Sequence, residues 1–298
     1  MSTLKTVLLS TRAPFLLLTP VCVMLGAATV TASGSSIDGS LLALVLAGAL
    51  LAHISVNTLN EYADFRSGLD LNTQRTPFSG GSGALPANPR ALNKVFATGL
   101  VTLIACLLIG IYLAWRLGPG IVPLGVLGAV LIVTYTEWIN RSPLLCLLAP
   151  GLGFGLLMVA GTQLVLAGHF SPLPWIAGLL PFFLVNNLLL LNQYPDIEAD
   201  RAAGRNHFPI AHGIRTSNIV YGLFVLAAAG SVIAGVAGGF LPATALAALL
   251  PLPFALFSLR GAVIHGADIG QHPRYLGTNV AATLLSPLLL GIALIFTR

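Results

Sequence analysis

Apolar residues fall into long runs along the whole chain, separated by short polar breaks. Runs of about 20 residues, enough to span roughly 30 Å of hydrocarbon as helix, lie near 13–32, 40–59, 95–115, 119–138, 144–167, 173–193, 217–237, 241–259 and 276–296. About nine transmembrane helices are expected. The alternation and spacing of a β-barrel are missing from these segments. Short connections near 116–119 and 139–143 make antiparallel neighbours. Only two connections, 60–93 and 194–216, are long and polar.

Composition supports this pattern. The chain is 56% hydrophobic and 8% charged, against about 25% charged in an average soluble protein, so most of its surface faces lipid. The expected architecture is an all-α polytopic bundle forming one domain over residues 1–298. Lys5 and Arg12 ahead of the first apolar run resemble a signal peptide. That run is longer than a signal core, which favours a retained helix. Cys22, Cys106 and Cys146 lie in apolar segments without metal-type spacing and are read as structural. The 32 glycines and 19 prolines are tolerated where neighbouring helices re-satisfy the backbone. Glycines such as Gly151, Gly153, Gly155 and Gly161 either open room for a ligand or allow close packing, and packing is the preferred reading.

Charge orients the bundle. With a cytoplasmic N-terminus, twelve of the fourteen Lys and Arg residues fall inside, and only Arg116 and Arg298 fall outside. Eight of the nine carboxylates, all but Asp38, share that inner side. Topology does not require acids there, so their clustering points to chemistry.

The two long loops look like copies. One begins Leu59-Asn60-Glu61-Tyr62-Ala63-Asp64 and runs on to Asp70. The other begins Leu191-Asn192-Gln193-Tyr194-Pro195-Asp196 and runs through Glu198 to Asp200. Both read L-N-x-Y-x-D at the same end of an even-numbered helix, which internal duplication explains. Asn60 and Asp64 share a helical face, as do Asn192, Asp196 and Asp200. His53 and Asn57 carry the first stripe back into the membrane. His53 alone reads first as a hydrogen-bonded buried histidine, and Tyr62 and Tyr194 as interfacial anchors or ligands.

Gathering Asp64, Asp70, Asp196 and Asp200 in one place builds repulsion that a divalent cation relieves. The oxygen-only set of Asn60, Asp64, Asp70, Asn192, Asp196 and Asp200 suits Mg²⁺. Arg66, Arg75, Arg201 and Arg205, interleaved with the acids, suit phosphate. A ligand with a diphosphate head and a hydrocarbon tail fits a polar mouth over an apolar bundle. Solvated surface charge explains either loop alone but not the matched pair. An ion-coupled transporter is the main rival outside enzymes, although transporter sites usually lie near the midplane.

These motifs resemble the UbiA superfamily of intramembrane prenyltransferases, which have about nine helices and Asp-rich motifs after the second and sixth. The branch that prenylates 1,4-dihydroxy-2-naphthoate (MenA-type) has N-D-x-x-D-x-x-x-x-x-D. Here it stands as Asn60-Glu61-x-x-Asp64 with Asp70, Glu replacing the second residue. Asn192, Asp196, Asp200 and Arg201 match the second motif. Arg75-Thr76-Pro77-Phe78-Ser79-Gly80-Gly81-Ser82-Gly83 resembles the family's basic loop, whose amides suit phosphate oxygens. Tyr135 and Arg141 resemble its second polar contact region.

The resemblance implies Mg²⁺-dependent transfer of a prenyl group from a prenyl diphosphate to a small aromatic acceptor. Asp64, Asp70, Asp196 and Asp200 would be catalytic, with Arg66, Arg75, Arg141, Arg201, Arg205 and Tyr135 around the diphosphate. The base is sought among Asp70, Glu61 and Glu198. Other acceptors in the superfamily are 4-hydroxybenzoate, homogentisate, haem or a lipid. The surrounding partner is membrane lipid, with no nucleic acid, and the site is expected on the cytoplasmic side.

Overall fold

A computed structural model describes residues 1–73 and 75–296. Arg298, one of the two cations expected outside, lies beyond the described residues. Among those described there is helix and no strand. The main elements are α1 (Thr3–Ser10), α2 (Leu18–Ala32, entered through a 3₁₀ turn at Phe15–Leu17), α3 (Gly39–Arg66), α4 (Leu92–Leu117) and α5 (Val122–Thr134). There follow α6 (Pro143–Ala167), α7 (Leu173–Asn192), α8 (Phe208–Ala237), α9 (Leu252–His265) and α10 (Pro273–Ile295).

Eight helical segments are long and apolar enough to cross a membrane, and a ninth, Pro119–Thr134, is shorter. Its sixteen residues span about 24 Å, less than the hydrocarbon thickness. The expected count of about nine is thus met by eight full-length segments and this short one among the described residues. A Pro-Gly 3₁₀ turn starts it, and the turn at Tyr135–Trp138 ends it early.

Two boundaries also shift. α3 runs through Arg66 instead of stopping near Leu59, so the first motif is on a helix and not in a loop. α8 starts at Phe208, nine residues before the expected 217, and bends at Gly213, whose φ of 76° is left-handed. In both places apolar patterning ends while helix continues: residues 60–65 of α3 are buried or half-buried against protein, whereas Ala211, His212, Gly213, Arg215 and Thr216 of α8 form an exposed polar turn.

α7 is the centre of the bundle: 61% of its spanning window is buried, against 17% for α4. It packs on α2, α6, α8 and α10. Leu18, Cys22 and Leu25 of α2 meet Leu180 and Leu184 of α7 and Leu290 and Leu294 of α10 in the largest apolar cluster. The segment first compared with a signal peptide therefore forms part of the core. Cys22 and Cys146 are buried and all three thiols are free, in keeping with a structural reading.

Gly151 and Gly155 serve close approach. A Cβ at either would strike the Phe182 backbone of α7, and the Gly151 amide donates to Asn186 Oδ1 at 2.6 Å. Pro150 and this side-chain contact interrupt the normal ladder just where α6 widens into a π-helical turn at Leu152–Met158. Gly153 and Gly161 meet nothing, so packing accounts for only half of this glycine set.

Candidate active site

The acidic motifs converge although they come from opposite halves of the chain. The last turns of α3 carry Asn60 and Asp64, and the Asn60 amide donates to Asp64 Oδ2 at 2.7 Å. Gly68, at φ 80°, turns the chain into a short helix, Leu69–Asn72, that buries Asp70. Asn192 ends α7, Asp196 immediately precedes the short helix Ile197–Ala202, and Asp200 lies within it.

Arg205 joins the two groups. Its guanidinium pairs with Asp64 and, at 2.8 Å, with Asp200 Oδ1. His207 Nε2 holds the other Asp200 oxygen at 3.0 Å. The segment 75–83 also spans both motifs. The Gly80 amide donates to Asp196 Oδ2 at 3.0 Å, while the Ser82 amide and hydroxyl donate to Glu61 at 2.6 and 2.7 Å. Left-handed backbone at Gly80, Gly81 and Gly83 makes this path possible.

Below these groups opens a cavity of about 480 Å³. Asn60, Asp64, Asp70, Asn192, Asp196, Asp200, Tyr135 and Arg205 all line it. Four other predicted residues do not. Arg66 stacks on Tyr62 and bonds its hydroxyl at 3.1 Å. Arg141 lies 3.9 Å from Glu137, and Arg201 pairs with Glu198 at 2.8 Å, each exposed. Arg75 is exposed and outside the cavity wall. Helix rotation explains Arg66 and Arg201, since only one face of each helical turn looks inward; Arg75 lies on irregular backbone with its guanidinium against Gly83.

The three candidate bases separate in the same way. Glu61 is buried and committed to Ser82, Glu198 is exposed beside Arg201, and Asp70 faces the cavity. Tyr194 is fully buried and donates to Asn218 at 2.9 Å, which makes it a packing group and not an interfacial anchor. Tyr62 stacks on Phe96. His53 shares a 2.8 Å hydrogen bond with Thr19 and also lines the cavity.

Sequence reasoning missed Arg12 and His207 at this site. Arg12 counted only toward topology, yet it lines the cavity and is the one non-glycine residue with positive φ among the described residues (55°). Such backbone persists only where surroundings hold it; Asn57 bonds the neighbouring Thr11 carbonyl at 2.9 Å. Motif spacing carries no signal for Arg12, because it sits between α1 and α2, far from either acidic stretch.

Burial raises the Asp70 pKa to about 7, helped by the charges of Glu61 and Asp64. Asp196 rises to about 7 through burial and then Asp200. For Arg205 burial works against the charge, but Asp64 and Asp200 outweigh it and the pKa rises. Three oxygens at the mouth, Asp70 Oδ2, Asn192 Oδ1 and Asp196 Oδ1, are buried without a hydrogen-bond partner. Buried acceptors left unpaired are costly, and unpaired acceptors converging on one mouth suit a cation. Among the described residues, no three Asp, Glu, His or Cys side chains form a ready-made metal cluster. Any ion held here must complete its shell with amide oxygens, water or ligand oxygens.

Spanning helices around an apolar cavity, with carboxylates and guanidinium groups at its mouth, define a polytopic helical membrane protein. The chain belongs to the UbiA prenyltransferase family, whose family model matches residues 18–266, and it is a multi-pass integral membrane protein. No curated protein sequence gives a significant match. Among solved structures, the fold is similar to an apo UbiA homologue from Aeropyrum pernix K1 (19% identity, TM-score 0.72, covering 95% of this chain and 97% of that one). It is also similar to a UbiA homologue from Archaeoglobus fulgidus bound to DMAPP and Mg²⁺ (14% identity, TM-score 0.60, 95% and 99%). A digeranylgeranylglyceryl phosphate synthase shares the fold at 14% identity and TM-score 0.67, covering 99% of both chains.

Proposed function

We propose that this protein transfers a prenyl group from a prenyl diphosphate, held with Mg²⁺, to a small aromatic acceptor, with 1,4-dihydroxy-2-naphthoate as the first choice. The observation that carries the reading is the convergence of both acidic motifs on the mouth of one apolar cavity. The spacing of Asn60, Asp64 and Asp70 supports the naphthoate branch.

Asn60, Asp64, Asp70, Asn192, Asp196 and Asp200 would hold the ion, and the three unpaired oxygens among them fit that role. Mg²⁺ keeps waters and uses few carboxylates alongside phosphate oxygens, so it does not require a compact carboxylate cluster, and none is formed among the described residues. When bound, it supplies Lewis-acid stabilisation of the charge gathering on the diphosphate.

Arg205 and Arg12 face the same space and offset the remaining phosphate charge. The Ser79–Gly81 segment lines the mouth beside them. The allylic C–O bond breaks with its electron pair leaving on diphosphate. A ring carbon of the acceptor then supplies the pair for the new C–C bond. That ring carbon finally loses its proton or, in a carboxylated naphthoate, carbon dioxide. Asp70 is the base candidate whose geometry reaches the cavity. Apolar walls below keep water from the allylic cation. Residues 1–298 act as one transferase unit in this reading, with the mouth on the cytoplasmic side.

The test is mass spectrometry of purified protein in lipid with Mg²⁺, a polyprenyl diphosphate and a panel of aromatic acids. A chelator-sensitive, decarboxylated naphthoate adduct is expected. Products formed only with 4-hydroxybenzoate or a lipid acceptor would move the chain to another branch. Diphosphate-independent flux in vesicles would replace the transferase by a transporter.

A further inference from the structure

The cavity continues far below the acidic residues. Along α3 its wall runs from Asn60 to Leu44, sixteen residues or about 24 Å of helix axis, most of the roughly 30 Å hydrocarbon thickness. α5 and its leading turn line it from Tyr135 to Ile121, and α6 from Ala149 to Val165. Three helices therefore agree on its depth.

Leu113, Ile121 and Val165 close the far end as part of an apolar cluster with Val30 and Leu41. A second cavity of about 100 Å³ lies beyond, against Gly118, Gly168 and His169. Ile121 and Val165 line both spaces. These two side chains are the partition between a long chamber and a small pocket at the opposite membrane face.

The chamber wall is cleared by absent side chains. Gly110 of α4, Gly125 and Gly128 of α5, and Gly153 and Gly161 of α6 all line it. A Cβ added at any of the five would meet no atom within 4 Å. Close helix packing therefore does not explain them, and each sacrifices helix propensity relative to alanine. α5 illustrates the point: Ile121, Leu124, Gly125, Gly128, Leu131 and Ile132 face the chamber, with the smallest residues at mid-depth.

On the prenyl-transfer reading above, on which this rests, we propose that Ile121 and Val165 form a floor that limits the donor's chain length. The open-faced glycines keep the chamber long enough for a tail of several isoprene units. The donor is then a polyprenyl diphosphate longer than geranyl. Its tail gains affinity with each buried isoprene until it reaches the floor.

Binding separates this proposal from the reaction itself. Full-length protein in lipid nanodiscs with Mg²⁺ is titrated with prenyl S-thiolodiphosphates, from dimethylallyl through geranyl and geranylgeranyl to octaprenyl. In the unaltered protein, affinity is expected to rise stepwise and then level off. Gly128→Leu should leave dimethylallyl binding unchanged and weaken geranylgeranyl about tenfold or more, as an overfilled apolar site does. Ile121→Ala should move the plateau to longer tails by joining the two cavities. If Gly128→Leu fails to fold, Ile121→Trp shortens the chamber from its floor and serves as the same test. Equal affinity for all lengths, or variants that weaken short and long donors alike, overturn the floor. Failure of every donor to bind the unaltered protein sinks the prenyl-transfer reading and the floor with it.

Discussion

Arg205 pairs with Asp64 across the cavity mouth although 141 residues separate them in the chain. The pair is mostly shielded, with side-chain exposures of 17% and 10%, and the same guanidinium holds Asp200. One cation therefore ties the first motif to the second. Removing it leaves two carboxylates facing each other at low dielectric, which costs on the order of 3 kcal/mol or more when a buried partner is lost. Arg205→Ala should lower the melting temperature of the purified protein by several degrees. Adding Asp64→Asn should recover much of that loss. Absence of any recovery would show that the link contributes nothing to the fold.

Asp64→Asn and Asp196→Asn should each reduce turnover at least about a hundredfold, as removal of transition-state charge stabilisation does, while the protein stays folded. Steady-state product formation, with size-exclusion behaviour as the control, decides this. Near-normal turnover in both variants would remove the metal–diphosphate assignment.

Glu61 anchors the glycine-rich segment through Ser82. Glu61→Ala should loosen residues 75–83 and make them more sensitive to limited proteolysis. Turnover should fall about tenfold, because an ordered segment lining the mouth limits water at the reacting centre. Unchanged cleavage in this segment would mean that the glycines hold their path unaided.

Asp70 and Asp196 each have a folded pKa raised to about 7, well above an unfolded aspartate near 3.9. The folded state therefore binds more protons than the unfolded state between those values. The associated stability is complete below pH ~4 and is lost as pH rises through about 7. Metal-free protein should melt at progressively lower temperature from pH ~4 to pH ~7, and the stabilisation by added Mg²⁺ should grow over the same interval. A melting temperature flat with pH, with or without the ion, would contradict both burial-driven shifts.

Cysteines introduced at Ser67 and Ala203 should be labelled by a membrane-impermeant reagent from one side, and a cysteine at Gly118 from the other. Labelling of Ser67→Cys and Ala203→Cys from opposite sides would be incompatible with a shared mouth.

The hydropathy pattern and the spacing of a few polar residues were enough to read a helical membrane bundle and two related acidic stretches. Both signals are local: an apolar run declares a span by its own length, and residues four apart share a face on any helix. Helix ends were less legible. The turns at 60–66 and 208–216 look like loop because their residues are polar, the first packed largely against protein and the second largely exposed. Charge placement was less legible still. Arg66, Arg75, Arg141 and Arg201 are predicted at the site but do not line the cavity, while Arg12, remote in sequence, does.

Glu61 reads as a candidate base from its place in the motif, yet its carboxylate accepts from the Ser82 amide and hydroxyl. Gly151 and Gly153 look alike in sequence, yet one permits helix contact and the other faces open space. By itself, the sequence determined the class of fold and where its polar chemistry is concentrated. Only the tertiary structure decided which groups meet, because helix rotation, loop path and the facing helix set that, and none of the three is written in a residue's immediate neighbours.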